Sequence, residues 1–183
     1  MPDYRRVFIK GGTYFLTLVT YKRQRIFADS LARTIFFEAV KHVQKYHPFE
    51  IKAYCILPDH IHLLMALSDQ EVDYPIRVNL IKGRFSKLFI KQFGVTIPRN
   101  TSQIKNRELT IWQRRYWEHH IRDEEDFEHF FDYIHYNPIK HGEVEDLIDW
   151  KDSSFLDYVA KGYYEKSWGK NKFDDKDTMQ FGE

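Results

Sequence analysis

The sequence has very little cysteine and no long apolar run, and these absences exclude several classes of protein. The single Cys55 can form neither an internal disulfide nor a thiolate metal site, so we expect it in the core. No stretch is long enough to cross a bilayer, and the N-terminal segment lacks the apolar part of a signal peptide. We therefore expect a soluble cytoplasmic protein with no membrane contact.

The sequence also has almost no net charge, +1 at pH 7, but its charges are unevenly distributed. From Arg77 to Arg107 there are eight basic residues and no acidic one, and the opening segment is basic as well. The chain after Gly142 is instead rich in acidic residues. One basic run alone is as often a solvated face as a binding surface, but two runs together favour a polyanionic partner.

Hydrophobic periodicity predicts an α+β domain, a ferredoxin-like sandwich of helices on a mainly antiparallel sheet. We expect this domain to span residues 1–158, followed by a partly disordered tail at 159–183, which ends the acid-rich stretch after Gly142. Strands are predicted at 13–21, 50–57, 61–67 and 111–121, helices at 30–46, 75–93 and 124–137, and a loop or hairpin tip at 94–110. In the second helix Ile76 and Leu80 are predicted to face inward. Pro138 is expected to end or kink the third helix.

His60-Ile61-His62 is the first pattern that indicates chemistry. Alternation along a strand places both imidazoles on one face and Ile61 on the other. Two neutral imidazoles on one face can share a divalent metal ion, although such a pair is more often structural. Asp59 could orient an imidazole, but an exposed turn aspartate is the simpler interpretation, so we leave it out of the catalytic set.

Tyr133 and Asn137 are four residues apart and share a face of an uninterrupted helix. The amide oxygen of Asn137 is a candidate third metal ligand. Pro138 disfavours a helical conformation at Asn137, so the geometry of this pair is open. Taken alone, Tyr133 is one of twelve tyrosines, most of which must be structural. His119, His120 and His135 are interpreted as making ordinary polar contacts.

Several segments, in this order, resemble the REP-associated tyrosine transposases, a group within the single-tyrosine HUH superfamily. Leu57-Pro58-Asp59-His60-Ile61-His62 is similar to their HUH motif, and the segment from Asp132 to Gly142 (DYIHYNPIKHG) is similar to their tyrosine motif. The resemblance extends over most of residues 4–158, including Ile111–His119 and Asp149–Phe155.

The resemblance implies that Tyr133 attacks a phosphodiester of single-stranded DNA, leaving a 5'-phosphotyrosine and a free 3'-hydroxyl. It implies metal ligands at His60, His62 and Asn137. Mg²⁺ prefers oxygen ligands, whereas the mixed set also suits Mn²⁺, so either ion is expected. The covalent intermediate keeps the energy of the phosphodiester bond that was broken. The sequence also has no phosphate-binding loop, so no nucleotide cofactor is expected.

The resemblance also implies a DNA partner, namely the hairpins of repetitive extragenic palindromes with a single-stranded segment beside the stem. Phosphate contact and base stacking require cations and aromatic rings. The candidates are Arg5, Arg6, Lys82, Arg84, Lys87, Arg114, Arg115 and Trp117. Either a monomer or a homodimer is compatible with the resemblance.

Two alternatives remain open at this stage. One is a nucleic-acid-binding module without catalysis, in which the histidines and Tyr133 only pack or stack. The other keeps the HUH chemistry in a replication initiator or relaxase.

Overall fold

A computed structural model describes residues 6–94 and 110–170 of the chain. Arg5 and most of the loop predicted at 94–110 lie outside the described residues. The strands are β1 (Thr13–Val19), β2 (Phe49–Ile56), β3 (His60–Leu67) and β4 (Trp117–His120). The α-helices are α1 (Ser30–Tyr46), α2 (Tyr74–Phe93), α3 (Glu124–Lys140) and α4 (Phe155–Ala160).

The four strands form one antiparallel sheet in the order β2-β3-β1-β4. This order, with α1 and α2 connecting the strands, confirms the ferredoxin-like α+β sandwich. The nearly all-apolar β1 is an interior strand, as its composition predicts. Its register places Thr17 opposite His62 of β3 on one side and opposite Trp117 of β4 on the other.

Aspartates fix the first turns of the three long helices. Asp29 accepts from Leu31 N at 2.8 Å before α1, and Asp123 accepts from Asp126 N at 2.8 Å before α3. Asp73 does the same for α2, accepting from Ile76 N at 3.1 Å. Each bond satisfies a backbone donor that the first turn leaves without a partner, typically worth about 1 kcal/mol.

Strand alternation gives the sheet two buried faces. One face carries Leu16, Ile61 and Leu63, which pack beneath α1 and α2. The other carries Phe15 and Leu64, which pack with the aromatic stripe of α3 and with α4. Cys55 is fully buried in this second core, as expected. Because His60 and His62 alternate with Ile61, they lie on the α3 side of the sheet.

Two predicted strand boundaries are wrong. β1 ends at Val19, and Tyr21 lies in a 3-10 turn. β4 contains only Trp117–His120 of the predicted 111–121. Trp112 instead lies in the first core, with its ring 5.6 Å from Phe27 and 5.2 Å from Phe85. Burial of this large ring replaces the continuous ladder with one isolated bridge between Thr20 and Trp112.

The helices also differ from expectation. Ile76 and Leu80 are 46% and 41% exposed, because α2 packs through Val78, Ile81 and Phe85. Helix α3 continues past Pro138 to Lys140, so the proline does not end it. No helix among the described residues is long and apolar enough to cross a membrane.

Candidate active site

The two histidines of the H-x-H pattern are fully buried, side by side at the start of β3. Their exposed fractions are 1% and 0%, and their ring centroids are 4.9 Å apart. His60 Nδ1 donates to Asp59 Oδ1 at 2.7 Å, and His62 Nδ1 is hydrogen-bonded to Thr17 Oγ1 at 3.1 Å. With Nδ1 engaged in both rings, Nε2 is the nitrogen that each ring can offer to a ligand.

Asp59 orients His60, and the interpretation of it as an exposed turn aspartate is wrong. Its side chain is only 18% exposed and accepts from Arg23 Nη1 at 3.0 Å as well as from His60. Burial alone would raise the pKa of Asp59, but its hydrogen bonds to His60 and Arg23 and the positive charge of Arg23 hold it at about 2. An ionised carboxylate in this position keeps a proton on His60 Nδ1, so Nε2 carries the lone pair.

Asn137 lies on α3, with its amide fixed by the helix itself. Its Nδ2 donates to the Tyr133 carbonyl at 2.9 Å. Only the amino end of an amide can donate to a carbonyl, so Oδ1 points the other way. Asn137 is completely buried, and neither its Oδ1 nor His60 Nε2 has a hydrogen-bond partner among residues 6–94 and 110–170. Such orphaned buried acceptors normally have a partner, which can be a bound ion.

These orphaned atoms fit a metal ion that accepts nitrogen and oxygen ligands. Within the described ranges, no three His, Cys, Asp or Glu side chains are grouped as a metal site. A metal at this position would therefore need the amide oxygen of Asn137 beside His60 and His62. Two imidazoles and one amide oxygen are suitable ligands for Mn²⁺ and acceptable ones for Mg²⁺.

Tyr133 lies on the same helix face and joins the histidine cluster. Its ring is 9% exposed, with the centroid 5.5 Å from His62 and 5.8 Å from Phe15. Lys140 Nζ donates to its hydroxyl at 2.9 Å and lies 4.7 Å from the ring centroid. The phenol oxygen is thus held beside a positive charge.

Sequence reasoning did not single out Lys140 or Thr17. Lys140 follows Tyr133 by seven residues, two helical turns, which is the spacing that returns to the same face. The expected helix break at Pro138 concealed that signal, because the break would have placed Lys140 outside the helix. Thr17 could be linked to His62 only through the strand register, which the sequence alone does not specify.

His119, His120 and His135, which the sequence analysis interprets as making ordinary polar contacts, make local contacts. His119 Nε2 and Asp126 Oδ2 are 2.7 Å apart, and His135 is buried between Ser154 and Tyr164. The ring of His120 lies 5.4 Å from that of Tyr14.

Trp117 is a candidate DNA contact that lies on the same sheet face as the site. It pairs with Thr17 across the strands, so its ring lies on the same sheet face as His62. It packs edge-on to Phe15 at 5.5 Å and remains partly exposed at the sheet edge. Arg114 and Arg115 are exposed just before it in the chain. Together they form a basic and aromatic edge.

Lys82 joins this edge, whereas the other basic candidates are placed differently. Its Nζ donates to Gln113 O at 2.8 Å, next to Arg114 in the chain. Arg6 pairs with the buried Glu118 at 3.2 Å, which offsets its charge. Arg84 pairs with Glu38 at 3.5 Å, and Arg84 and Lys87 line a groove between α1 and α2. That groove lies on the face of the sheet opposite the histidines.

Comparison with known proteins assigns the chain to a family. Residues 9–137 match the family described as "Transposase IS200 like". A Haemophilus influenzae protein, provisionally named a REP-associated tyrosine transposase, is 44% identical over 93% of this chain and 95% of its own length. The Escherichia coli K12 protein named REP-associated tyrosine transposase is 36% identical over 92% of this chain and 91% of its own.

A solved structure matches this chain over its full length. The REP-associated tyrosine transposase bound to a REP hairpin is 34% identical, and its fold superposes with a TM-score of 0.80. The match covers 100% of this chain and 98% of the other. The chain therefore belongs to the IS200-like transposases, and within that family of DNA-processing enzymes to the REP-associated tyrosine transposases.

Proposed function

We propose that this protein is a metal-dependent endonuclease and strand transferase for single-stranded DNA, with Tyr133 as its nucleophile. The observation that carries the proposal is the convergence of four groups. Tyr133 and Asn137 share a face of α3, Lys140 donates to the Tyr133 hydroxyl, and the histidine pair lies against that face. A purely structural tyrosine would not require a half-buried lysine donor beside two oriented imidazoles.

In the first step the Tyr133 oxygen attacks the phosphorus of a phosphodiester. The Tyr133 oxygen–phosphorus bond forms, the bond from phosphorus to the 3'-oxygen breaks, and the phenol proton passes to solvent. The 3'-oxygen leaves and takes up a proton from solvent. In the reverse step, an incoming 3'-hydroxyl attacks the 5'-phosphotyrosine and releases the phenolate, so strands are rejoined without a nucleotide cofactor.

Lys140 stabilises the negative charge on the Tyr133 oxygen in both directions. Its ammonium donates to that oxygen at 2.9 Å, so it favours the attacking phenolate and equally the departing one. A charge-assisted hydrogen bond contributes about 1.5–3 kcal/mol, so Lys140→Met is expected to slow nicking roughly 10-fold to 100-fold. Lys140→Arg keeps the charge and should slow it less.

Mg²⁺ or Mn²⁺, held by His60, His62 and Asn137, would polarise the phosphodiester for attack. Asp59 and Thr17 keep the two imidazoles in the orientation that presents Nε2. The substrate that we propose is hairpin-forming repetitive palindromic DNA, with an unpaired segment beside the stem. This assignment rests on the 34% identity and full-length superposition with the protein solved on a REP hairpin.

The test is incubation of the full chain with 5'-labelled and 3'-labelled single-stranded hairpin oligonucleotides, with Mn²⁺ or Mg²⁺ present, followed by denaturing electrophoresis. A covalent band should appear with only one of the two labels, because the 5'-phosphate stays on the protein. Tyr133→Phe and a chelator should each abolish the band.

Tyr136→Phe is the matched control, because Tyr136 is on the same helix but lies against Trp168, with ring centroids 6.4 Å apart. It should retain the covalent band. A band that persists in Tyr133→Phe would refute the assignment of the nucleophile. Tight hairpin binding with no covalent band under any metal condition would instead favour a binding module without catalysis.

A further inference from the structure

A cavity lies between the outer side of α3 and residues 163–170, away from the face of α3 that carries Tyr133 and Asn137. Its volume is about 620 Å³. It is lined by Phe131 of α3 and by Tyr163, Tyr164 and Trp168 of the segment that follows α4. We refer to this cavity as the aromatic pocket. None of the residues assigned to the proposed reaction lines it.

The aromatic rings are preorganised by contact with one another. Tyr164 is 8% exposed, and its ring lies 4.4 Å from Trp168 and 5.9 Å from Phe131. Tyr163 is 63% exposed at the rim, with its ring 5.6 Å from Phe131. Phe131 and Tyr164 are nearly buried and stack on each other, so the exposed Tyr163 and the half-buried Trp168 are the rings that can offer a cation the negative charge of a ring face.

Carboxylates complete the lining. Glu128, Asp132 and Glu165 border the aromatic pocket, and the Tyr164 hydroxyl donates to Asp132 Oδ1 at 2.7 Å, which fixes that carboxylate. Glu128 and Glu165 are exposed, and neither forms an ion pair with any residue in the described ranges. Lys170, the basic residue of the lining, pairs with Asp146 outside the pocket at 2.5 Å. The local charge of the pocket is therefore negative.

We propose that the aromatic pocket binds a basic peptide segment of a protein partner, with arginine or lysine side chains against its rings. An exposed aromatic ring such as Tyr163, flanked by the carboxylates of Glu128 and Glu165, favours cations, and the carboxylates repel the phosphates of DNA. The volume lies within the range of pockets that hold drug-sized ligands, so it exceeds what one guanidinium would fill. A short peptide with two basic side chains matches it in size and in charge.

The probe is the peptide acetyl-Ala-Arg-Ala-Arg-Ala-amide, titrated into the full chain by calorimetry and by NMR of the Trp168 indole N–H. The matched control peptide carries citrulline in place of both arginines, which removes the charge and keeps the shape. We expect the arginine peptide to shift the Trp168 signal and to bind at least about fivefold more tightly than the control peptide. Its affinity should fall several-fold between about 0.05 M and about 0.5 M NaCl.

Variants then separate charge from ring contact. Glu128→Gln combined with Glu165→Gln should weaken binding about fivefold to tenfold. Glu145→Gln, the same change at an exposed position outside the pocket, should have no effect. Tyr163→Ala should weaken binding about threefold, whereas Tyr163→Phe keeps the ring and should match the unaltered protein.

Equal binding of the citrulline peptide would overturn the proposal, because the pocket would then select shape rather than charge. An unshifted Trp168 signal at millimolar arginine peptide would overturn it as well. Spermidine that binds as tightly as the arginine peptide would replace the peptide with a free polyamine as the occupant.

Discussion

The buried His135 should make the protein lose stability as the pH falls below about 6.5. Its ring is completely buried between Ser154 Oγ at 2.8 Å and the Tyr164 hydroxyl at 3.1 Å. Burial is the largest cause that lowers its pKa, from the ordinary 6.5 to about 3. In the unfolded chain the same ring takes up a proton near pH 6.5, so acid favours the unfolded state.

The size of the effect follows from these two pKa values. Each pKa unit corresponds to about 1.4 kcal/mol, and the unfolded chain binds the proton throughout the window between the two values. Between pH 7.5 and pH 5, His135 alone should lower the free energy of unfolding by about 2 kcal/mol. The stability that the neutral ring contributes is fully present above pH 6.5 and is lost progressively towards pH 3.

The assay is urea unfolding, followed by tryptophan fluorescence with a chelator present, of the unaltered protein and of His135→Gln at several pH values. Glutamine is neutral throughout, so the difference between the two unfolding free energies isolates His135 from the other histidines. That difference should shrink by about 2 kcal/mol from pH 7.5 to pH 5. NMR titration of the His135 ring in the unaltered protein gives the same answer if the variant folds poorly.

Parallel pH profiles for the two proteins would refute the argument. A His135 ring that titrates above pH 5 while the protein stays folded would refute it equally, because the buried site would then tolerate the charge.

Three further predictions concern single side chains. Asp126→Asn should cost about 1.5–3 kcal/mol of unfolding free energy at pH 7, measured by urea unfolding, because it weakens the charged bonds to Arg122 and His119. These bonds hold the pKa of Asp126 well below its usual value despite its burial, so the cost should vanish as acid protonates the carboxyl. Asn137→Ala should weaken Mn²⁺ binding at least about tenfold by calorimetry, and an unchanged affinity would contradict its role as a ligand. Trp117→Ala should weaken binding of single-stranded DNA by about 1–3 kcal/mol in fluorescence anisotropy, and Trp117→Phe should weaken it much less.

Hydrophobic periodicity predicted the sheet and its helices because most segments follow a single pattern, either a helical stripe or strand alternation. The α1 stripe and the alternation at β3 each follow a single pattern, and both elements form within one residue of the prediction. The predicted strand at 111–121 fails because two effects compete there. Local β-propensity favours an extended ladder, but burial of Trp112 in the first core is worth more and bends the chain inward.

The site was predictable only where its residues fall in short motifs. Two of these motifs are pairs of neighbours in the sequence. His60 and His62 share a face of β3, and Tyr133 and Asn137 share a face of α3. Thr17 lies far from His62 in sequence and meets it only through strand pairing. Lys140 was missed for a different reason. Pro138 removes one helical hydrogen bond, yet α3 continues because its aromatic stripe is packed on the sheet, and packing outweighs the local cost.

The nearly neutral net charge conceals two local surfaces of opposite sign in the part of the chain that the structure describes. The exposed Arg114 and Arg115 lie with Lys82 at the β4 edge, next to Trp117 in the chain. The carboxylates of the aromatic pocket lie on the outer side of α3. Salt screens the electric field of exposed charges over about 10 Å at ordinary ionic strength. Each surface therefore acts only on ligands close to it, and the net charge of +1 does not determine what either surface binds. DNA held at the β4 edge would leave the aromatic pocket open, so the proposed basic partner could bind while α3 presents Tyr133, the proposed nucleophile, from its other face.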